Sequence, residues 1–136
     1  PATDEEAPMG VAKDFRVAVE AADIDAIIAT FADGARLYSP VVFRPFEGKD
    51  AIRTLMGVLL EVFEDFHYVD ELEGDGTHAL IFRTRVAGRD VQGLDYFRVD
   101  ARGLIDEFTV MVRPRTASDA LMQEVGGRLA KLGAPH

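Results

Sequence analysis

Asp95 is the residue of this chain whose type and position most directly indicate chemistry. It lies inside the stretch GLDYFRVD, residues 93–100, which otherwise has the composition of a β-strand. Because the side chains of a strand alternate between two faces, Asp95 shares a face with Val91, Gly93, Phe97 and Val99. Burial raises the pKa of a carboxyl group, so an acid on this apolar face could give or take a proton near neutral pH. Asp95 is therefore the candidate catalytic residue.

A buried carboxyl also has structural explanations. A neighbouring Thr or Tyr hydroxyl, the backbone or a water could satisfy Asp95, or an arginine at the rim could pair with it. Burial of an unpaired carboxylate costs several kcal/mol, and ligand binding is one reason why a protein would keep such a group. The catalytic and the structural interpretation both stay open at the level of the sequence.

Few other residues could take part in chemistry. Ser39 and Tyr68 could donate hydrogen bonds to a ligand, although the pattern slightly favours a Tyr68 hydroxyl that faces solvent. No His–Asp pair can be assigned to Ser39, which disfavours nucleophilic catalysis. A metal site needs three or four converging ligands, and the spacing of His67 and His78 provides no such set. We expect neither a metal nor an organic cofactor.

Composition limits the class of protein. The chain has 136 residues, 48% of them hydrophobic, which suggests a single domain with a real core. Its 24 acidic and 15 basic side chains give a net charge of −9, so no nucleic-acid or membrane partner is expected. Cysteine is absent, and no apolar stretch has the roughly 18 residues of a membrane span. Since the first residues do not resemble a signal peptide, a cytoplasmic protein is expected.

The spacing of apolar residues changes along the chain from helical to strand-like. We predict a tail over residues 1–9, one domain over 10–132 and a second tail over 133–136. One helix should start at Val11, and a second should run from the Asp23 cap through Phe31. ADGAR should then form a turn at Gly34, and RLYS a short strand. The other predicted elements are helices at 50–64 and 118–131 and strands at 66–73, 78–86, 91–99 and 104–112.

The order of these elements predicts the fold class. Four strands follow one another, which is typical of an α+β fold and not of alternating βαβ units. The strands should form a curved antiparallel meander whose apolar face is covered by the helices. In the last strand, alternation turns Leu104, Phe108, Val110 and Val112 to that inner face. Together with the helical stripes, the inner face could enclose a large apolar space that contains one acid.

The outer face of the sheet has an unusual composition for a surface that contacts only water. Aromatic residues, Met and Arg are enriched in protein interfaces. We therefore expect a homodimer through this face, with a plainly solvated surface as the alternative. The residues expected at the dimer interface are Ile81, Arg83, Leu94, Tyr96 and Met111.

Three segments carry a resemblance to a known family. They are AADIDAIIATFADGARLYSP, PFEGKDAIRTLM and GLDYFRVDARGLIDEFTVMVRP, and they occur in the family's order. Over residues 10–132 the chain resembles the SnoaL-like branch of the nuclear transport factor 2-like superfamily, which also includes the ketosteroid isomerases. The resemblance implies an α+β cone, with a curved antiparallel sheet wrapped around helices in a barrel-like arrangement. It also implies a deep apolar pocket.

The ketosteroid isomerases allow a comparison residue by residue. Their chemistry needs a general base and an oxyanion hole made by a tyrosine and a protonated aspartic acid. Asp95 falls on the position of that aspartic acid. Ser39 stands at the position of the base, and Phe15 at that of the tyrosine. By this resemblance the chain keeps the aspartic acid but lacks the base and the tyrosine. Steroid isomerase activity is therefore not expected.

Three functions fit these observations. The first is a cofactor-independent isomerase or cyclase that transfers a proton on an apolar cyclic or polyketide-like substrate, with Asp95 as the reacting group. The second is a non-catalytic binding module for an apolar small molecule, and the third is a structural dimerisation domain with a filled pocket. The residues expected to contact a ligand are Phe15, Ser39, Met56, Leu59, Phe63, Tyr68, Phe82, Phe97, Phe108 and Val110.

Overall fold

The structure is a computed structural model, which describes residues 10–40 and 42–134. The predicted tail over 1–9 and the last two residues lie outside this part of the chain. The elements, in chain order, are α1 (Gly10–Glu20), α2 (Ile24–Ala29), β1 (Phe31–Tyr38), β2 (Phe46–Glu47), α3 (Lys49–Val62), β3 (Glu64–Glu73), β4 (Thr77–Val86), β5 (Arg89–Val99), β6 (Ile105–Arg113) and α4 (Arg115–Lys131).

The strands form one sheet, in the order β2-β1-β6-β5-β4-β3. All neighbours run antiparallel except β1 and β6, which run parallel. The sheet is curved and does not close, and the four helices complete an α+β fold. The predicted fold class is confirmed. Within the described ranges, no helix has the length and apolar character that crossing a membrane requires.

Local sequence signals account for the main boundaries. The Asp23 side chain accepts a hydrogen bond from the Ala26 N–H at 3.1 Å and caps α2. Between β4 and β5 the chain turns at Ala87 and Gly88, both with positive φ, as the tightest antiparallel hairpins require. Alternation along β5 buries Val91, Gly93, Asp95 and Phe97, as predicted.

The start of β1 differs from the prediction. Phe31 begins the strand and does not end a helix, and Gly34 lies within the strand and not in a turn. The apolar run before Phe31 continues the helical spacing, so local pattern alone favours a longer helix. Pairing of Phe31 with Ile105 and of Leu37 with Phe108 on β6 makes this segment a strand. Tertiary contacts here override the local preference.

The inner face of β6 also differs from the prediction at one end. Phe108 and Val110 are buried as expected, but Ile105 is buried in place of Leu104. The register between β5 and β6 shifts between Arg98 and Val99. Such an irregularity inserts an extra residue and reverses the side-chain alternation beyond it.

The core lies between the inner face of the sheet and the helices. Five phenylalanines are fully buried there: Phe15, Phe31, Phe82, Phe97 and Phe108. Phe15 of α1 contacts three of the others at ring-centroid distances of 5.2–6.1 Å. These contacts fix α1 against the sheet, and they place its C-terminal end near the carboxyl of Asp95.

Candidate functional site

Asp95 occupies the centre of the sheet. Its neighbours in register are Leu80 on β4 and Val110 on β6, and all three side chains are buried. Asp95 itself is 6% exposed. The alternation of β5 therefore turns a carboxyl group toward the helices, as the sequence predicts.

Tyr68 of β3 supplies the polar partner of this carboxyl. Its hydroxyl donates a hydrogen bond to Oδ2 of Asp95 at 2.8 Å. The pairing of β3 with β4 and of β4 with β5 explains how the Tyr68 hydroxyl reaches Asp95 across the intervening strand. Tyr68 pairs with Phe82, and Phe82 pairs with Gly93, which has no side chain. The sequence slightly favoured a Tyr68 hydroxyl that faces solvent, and the structure instead turns it inward to Asp95.

The environment changes the protonation of both groups. Burial raises the pKa of Asp95 from 3.8 to about 7, although the hydrogen bond from Tyr68 lowers it in part. Burial and the nearby Asp95 carboxyl raise the pKa of Tyr68 well above its usual value. Tyr68 therefore stays protonated and donates, whereas Asp95 exists in both forms near neutral pH.

Asp95 and Tyr68 line a cavity of about 230 Å³ between the sheet and helices α1 to α3. Seven predicted ligand contacts line this cavity: Phe15, Met56, Leu59, Phe63, Tyr68, Phe108 and Val110. Six further residues line the cavity and were not among the predicted ligand contacts: Val19, Glu20, Ala22, Ile27, Leu60 and Phe66. Val19 follows Phe15 by one helical turn, so its helical spacing could have predicted its place in the cavity. No sequence pattern indicated that Glu20 lines the cavity.

Two charged residues of α1 lie near the Tyr68 hydroxyl. The exposed Glu20 lines the cavity and raises the pKa of Tyr68, whereas Arg16 lowers it. Arg16 also pairs with Glu71 of β3 at 3.0 Å. Both partners are partly exposed, so this ion pair contributes little stability. Of these two charged residues, Glu20 is the one that lines the cavity.

Three of the predicted ligand contacts do not line this cavity. Phe82 and Phe97 are core residues, because the ring of Phe82 lies over Gly93 and that of Phe97 stacks on Phe108 at 5.6 Å. Ser39 lines a different cavity, beneath α4, and its hydroxyl accepts a hydrogen bond from the Val42 N–H at 3.3 Å. The expected single pocket is thus two cavities, which share Leu59, Phe63 and Val110 as lining residues.

No set of three or more His, Cys, Asp or Glu side chains that could hold a metal occurs in the described part of the chain. His78, one of the histidines considered above, stacks on Phe97 with a centroid distance of 5.3 Å. The polar chemistry of the Asp95 cavity therefore comes from Asp95, Tyr68 and the rim residue Glu20.

The fold and the buried acid define a class: α+β proteins with a nuclear transport factor 2-like fold and a cavity between helices and sheet. A family model described as a SnoaL-like domain matches residues 12–108. The chain belongs to this family. A comparison with functionally curated proteins gives no match.

Solved structures of similar proteins share the fold. A steroid delta-isomerase from Pseudomonas aeruginosa is 32% identical over 90% of each chain, with a TM-score of 0.85. An uncharacterised cystatin-like-fold protein from Silicibacter pomeroyi is 26% identical, covering 88% of this chain and 85% of its own, also with a TM-score of 0.85. An epoxide hydrolase/cyclase-like enzyme of salinomycin pyran ring formation is 19% identical, covering 79% and 90%, with a TM-score of 0.66.

Proposed function

We propose that this protein is a cofactor-independent isomerase or cyclase that transfers a proton on an apolar cyclic or polyketide-like molecule. The observation that carries the proposal is the Asp95 carboxyl. It is buried beside an apolar cavity, its pKa is about 7, and Tyr68 occupies one of its two oxygens. A carboxyl whose pKa lies near the working pH is suited to both taking and returning a proton.

The proposed reaction uses the two carboxyl oxygens differently. The Tyr68 hydroxyl holds Oδ2, so Oδ1 is the oxygen that reacts with the ligand. Ionised Asp95 removes a proton from the carbon next to a carbonyl, and the C–H electron pair moves into an enolate. Protonated Asp95 then returns the proton to another carbon of the conjugated system, and Asp95 is ionised again. The step is redox-neutral and consumes no co-reactant.

The size and polarity of the cavity indicate the kind of group that reacts. A volume of about 230 Å³ is below the roughly 300–1,000 Å³ of pockets for drug-sized ligands. It exceeds the roughly 150 Å³ of a cavity that binds benzene. One ring of the substrate therefore fits beside Asp95. Glu20 at the rim disfavours an anionic substrate.

The relatives support proton-transfer chemistry, and two residues distinguish this chain from the steroid enzymes. One similar structure is named a steroid delta-isomerase, and a more distant one is named cyclase-like. Ser39 occupies the position that the resemblance assigns to the base, and it lines the cavity beneath α4. Phe15 occupies the position of the tyrosine and has no hydrogen-bond donor for an oxyanion. We therefore propose Asp95 as the single proton-transferring group, on a substrate other than the steroid.

The first experiment follows a β,γ-unsaturated cyclic ketone by ultraviolet absorbance of its conjugated product, and deuterium uptake from heavy water by NMR. We expect turnover that rises with pH through about 7, since the reacting form of Asp95 is ionised. Asp95→Asn should lower the rate by about 10²–10⁴-fold. Asp90→Asn on the exposed end of the same strand is the matched control and should leave the rate unchanged.

The same assay separates the alternatives. An Asp95→Asn variant as active as the unmodified protein would refute the proposed mechanism. If the ketone neither isomerises nor takes up deuterium, binding of a phenol as an enolate mimic distinguishes the two remaining functions. Phenol binding that Asp95→Asn weakens would favour the binding module, and no binding would favour the structural domain.

We also propose that a second copy of the chain covers the outer face of the sheet. Met111 is 55% and Tyr96 38% exposed there, with Ile81 and Leu94 half-buried beside them. Arg98 and Glu107 lie 3.7 Å apart on the same face. A patch with both signs of charge can complement itself across a two-fold axis, as a homodimer interface requires.

A further inference from the structure

The larger of the two cavities described above has no role in the proposed reaction. It lies beneath α4, between α3 and the β1 side of the sheet, and its volume is about 520 Å³. This volume is within the range of pockets that hold small-molecule ligands. Its walls include Leu37, Phe46, Leu55, Leu121, Val125 and Leu129.

The walls of this α4 cavity are apolar. None of the described residues that line it is charged, and the polar side chains among them are those of Ser39 and Gln123. A carboxylate inside would meet no cation among the described lining residues, and burying it unpaired would be costly. The chain's net charge of −9 further disfavours an anion. Met122, 51% exposed, lines the cavity as well and marks its solvent side.

Two adjacent glycines of α4 line this cavity. Gly126 and Gly127 lie inside the helix, where glycine is less favourable than alanine. A Cβ added at either position would have no heavy atom within 4 Å. Gly127 is exposed to solvent, whereas Gly126 is half-buried, so a larger side chain at Gly126 has space on the side of the cavity.

We propose that the α4 cavity is a second ligand site, which binds an uncharged apolar molecule such as a fatty alcohol, independently of Asp95. The volume of about 520 Å³, the absence of charge from the described walls and the open space at Gly126 support this assignment together. The shared residues Leu59, Phe63 and Val110 separate the two sites, so each can be tested alone.

The test uses decanol as the ligand and decanoate as the charged control. Titrations are followed by calorimetry and by the NMR signals of labelled methionine methyl groups. Met122 lines the α4 cavity, Met56 lines the Asp95 cavity, and Met111 lies on the outer face. We expect decanol to shift the Met122 signal more than those of Met56 and Met111, and decanoate to bind at least tenfold more weakly.

A variant with a filled cavity tests the location of the site. Gly126→Leu should weaken decanol binding at least tenfold. Gly57→Leu is the matched control, because Gly57 is also helical, has equally open space and lines neither cavity. It should bind decanol as the unmodified protein does, and so should Asp95→Asn. Thermal unfolding of each variant, with Gly126→Ala as a smaller change, verifies that the fold is intact.

Three outcomes would overturn the proposal. They are no binding of decanol, equal binding by folded Gly126→Leu, or a largest shift at Met56. Because Asp95→Asn should lower the rate of ketone turnover but leave decanol binding intact, failure of the proposed reaction and failure of this second site are distinguishable.

Discussion

At the scale of single residues, the central feature is a carboxyl group kept in an environment that favours its neutral form. Burial is the largest cause of the raised pKa of Asp95, and the hydrogen bond from Tyr68 offsets only part of it. The folded protein therefore binds a proton that the unfolded chain, with an ordinary pKa of 3.8, has already released. Asp95 thus makes the stability of the fold depend on pH.

The sign of this dependence follows from proton binding. Between pH 3.8 and about 7 the folded state holds the Asp95 proton and the unfolded state does not, so rising pH favours unfolding. We expect the contribution of Asp95 to the free energy of unfolding to fall across this window, by on the order of 4 kcal/mol, and to level off above it. Asp95→Asn should remove this contribution. The free energy of unfolding of the variant, relative to that of the unmodified protein, should therefore increase with pH across this window.

Urea unfolding at a series of pH values measures that difference. Asparagine can still accept the Tyr68 hydrogen bond through its amide oxygen, so the variant mainly removes the charge. Asp90→Asn, an exposed change on the same strand, should show no such divergence with pH. A constant offset between Asp95→Asn and the unmodified protein would contradict a raised Asp95 pKa.

At the scale of secondary-structure elements, the packing of β4 against β5 keeps the Asp95 cavity in shape. Gly93 precedes Asp95 by two residues on the same face, and the ring of Phe82 covers it. That ring is fixed by Phe66 at a centroid distance of 4.8 Å and by Phe63 at 5.8 Å. Phe63 and Phe66 also line the Asp95 cavity, so a disturbance at Gly93 reaches the site.

A methyl group at Gly93 tests this packing. An added Cβ would overlap the ring of Phe82, and this ring must then shift against Phe66, on which it stacks at 4.8 Å. We expect Gly93→Ala to lower the free energy of unfolding by about 1–3 kcal/mol, as overpacking of a core does. Gly34→Ala in β1 meets open space and should be neutral or slightly stabilising. Equal unfolding midpoints for the two variants would refute the argument.

At the scale of the whole molecule, the sheet has two faces with different roles. The inner face packs against the helices around two cavities, and the outer face leaves Met111 and Tyr96 exposed. We expect sedimentation to give a mass of about twice the 14.9 kDa of one chain. Met111→Glu should shift the mass toward the monomer, because it places an unpaired charge at the centre of the proposed interface.

A methionine of similar exposure provides the control for this experiment. Met122 lies on α4, away from the sheet, and Met122→Glu should leave the mass unchanged. Dissociation by both variants would mean that charge alone disrupts the dimer, and a monomeric unmodified protein would refute the proposed interface.

The sequence by itself determined most of the elements and the placement of Asp95 on the inner face. Helical and strand spacing follow from local backbone geometry, so β4, β5, α1 and α3 could be predicted closely. Resemblance added the fold class. The same local reasoning was wrong at Phe31 and Leu104, where pairing between distant strands sets the structure.

Only the tertiary structure decided what surrounds the acid. Tyr68 lies 27 residues from Asp95 in the chain, and strand register brings its hydroxyl to the carboxyl. Ser39 lines a separate cavity because α3 side chains and Val110 stand between the two spaces. Spacing within one segment reports the direction of a side chain relative to its own backbone. Which distant side chains meet it depends on register and helix packing, which local periodicity does not encode.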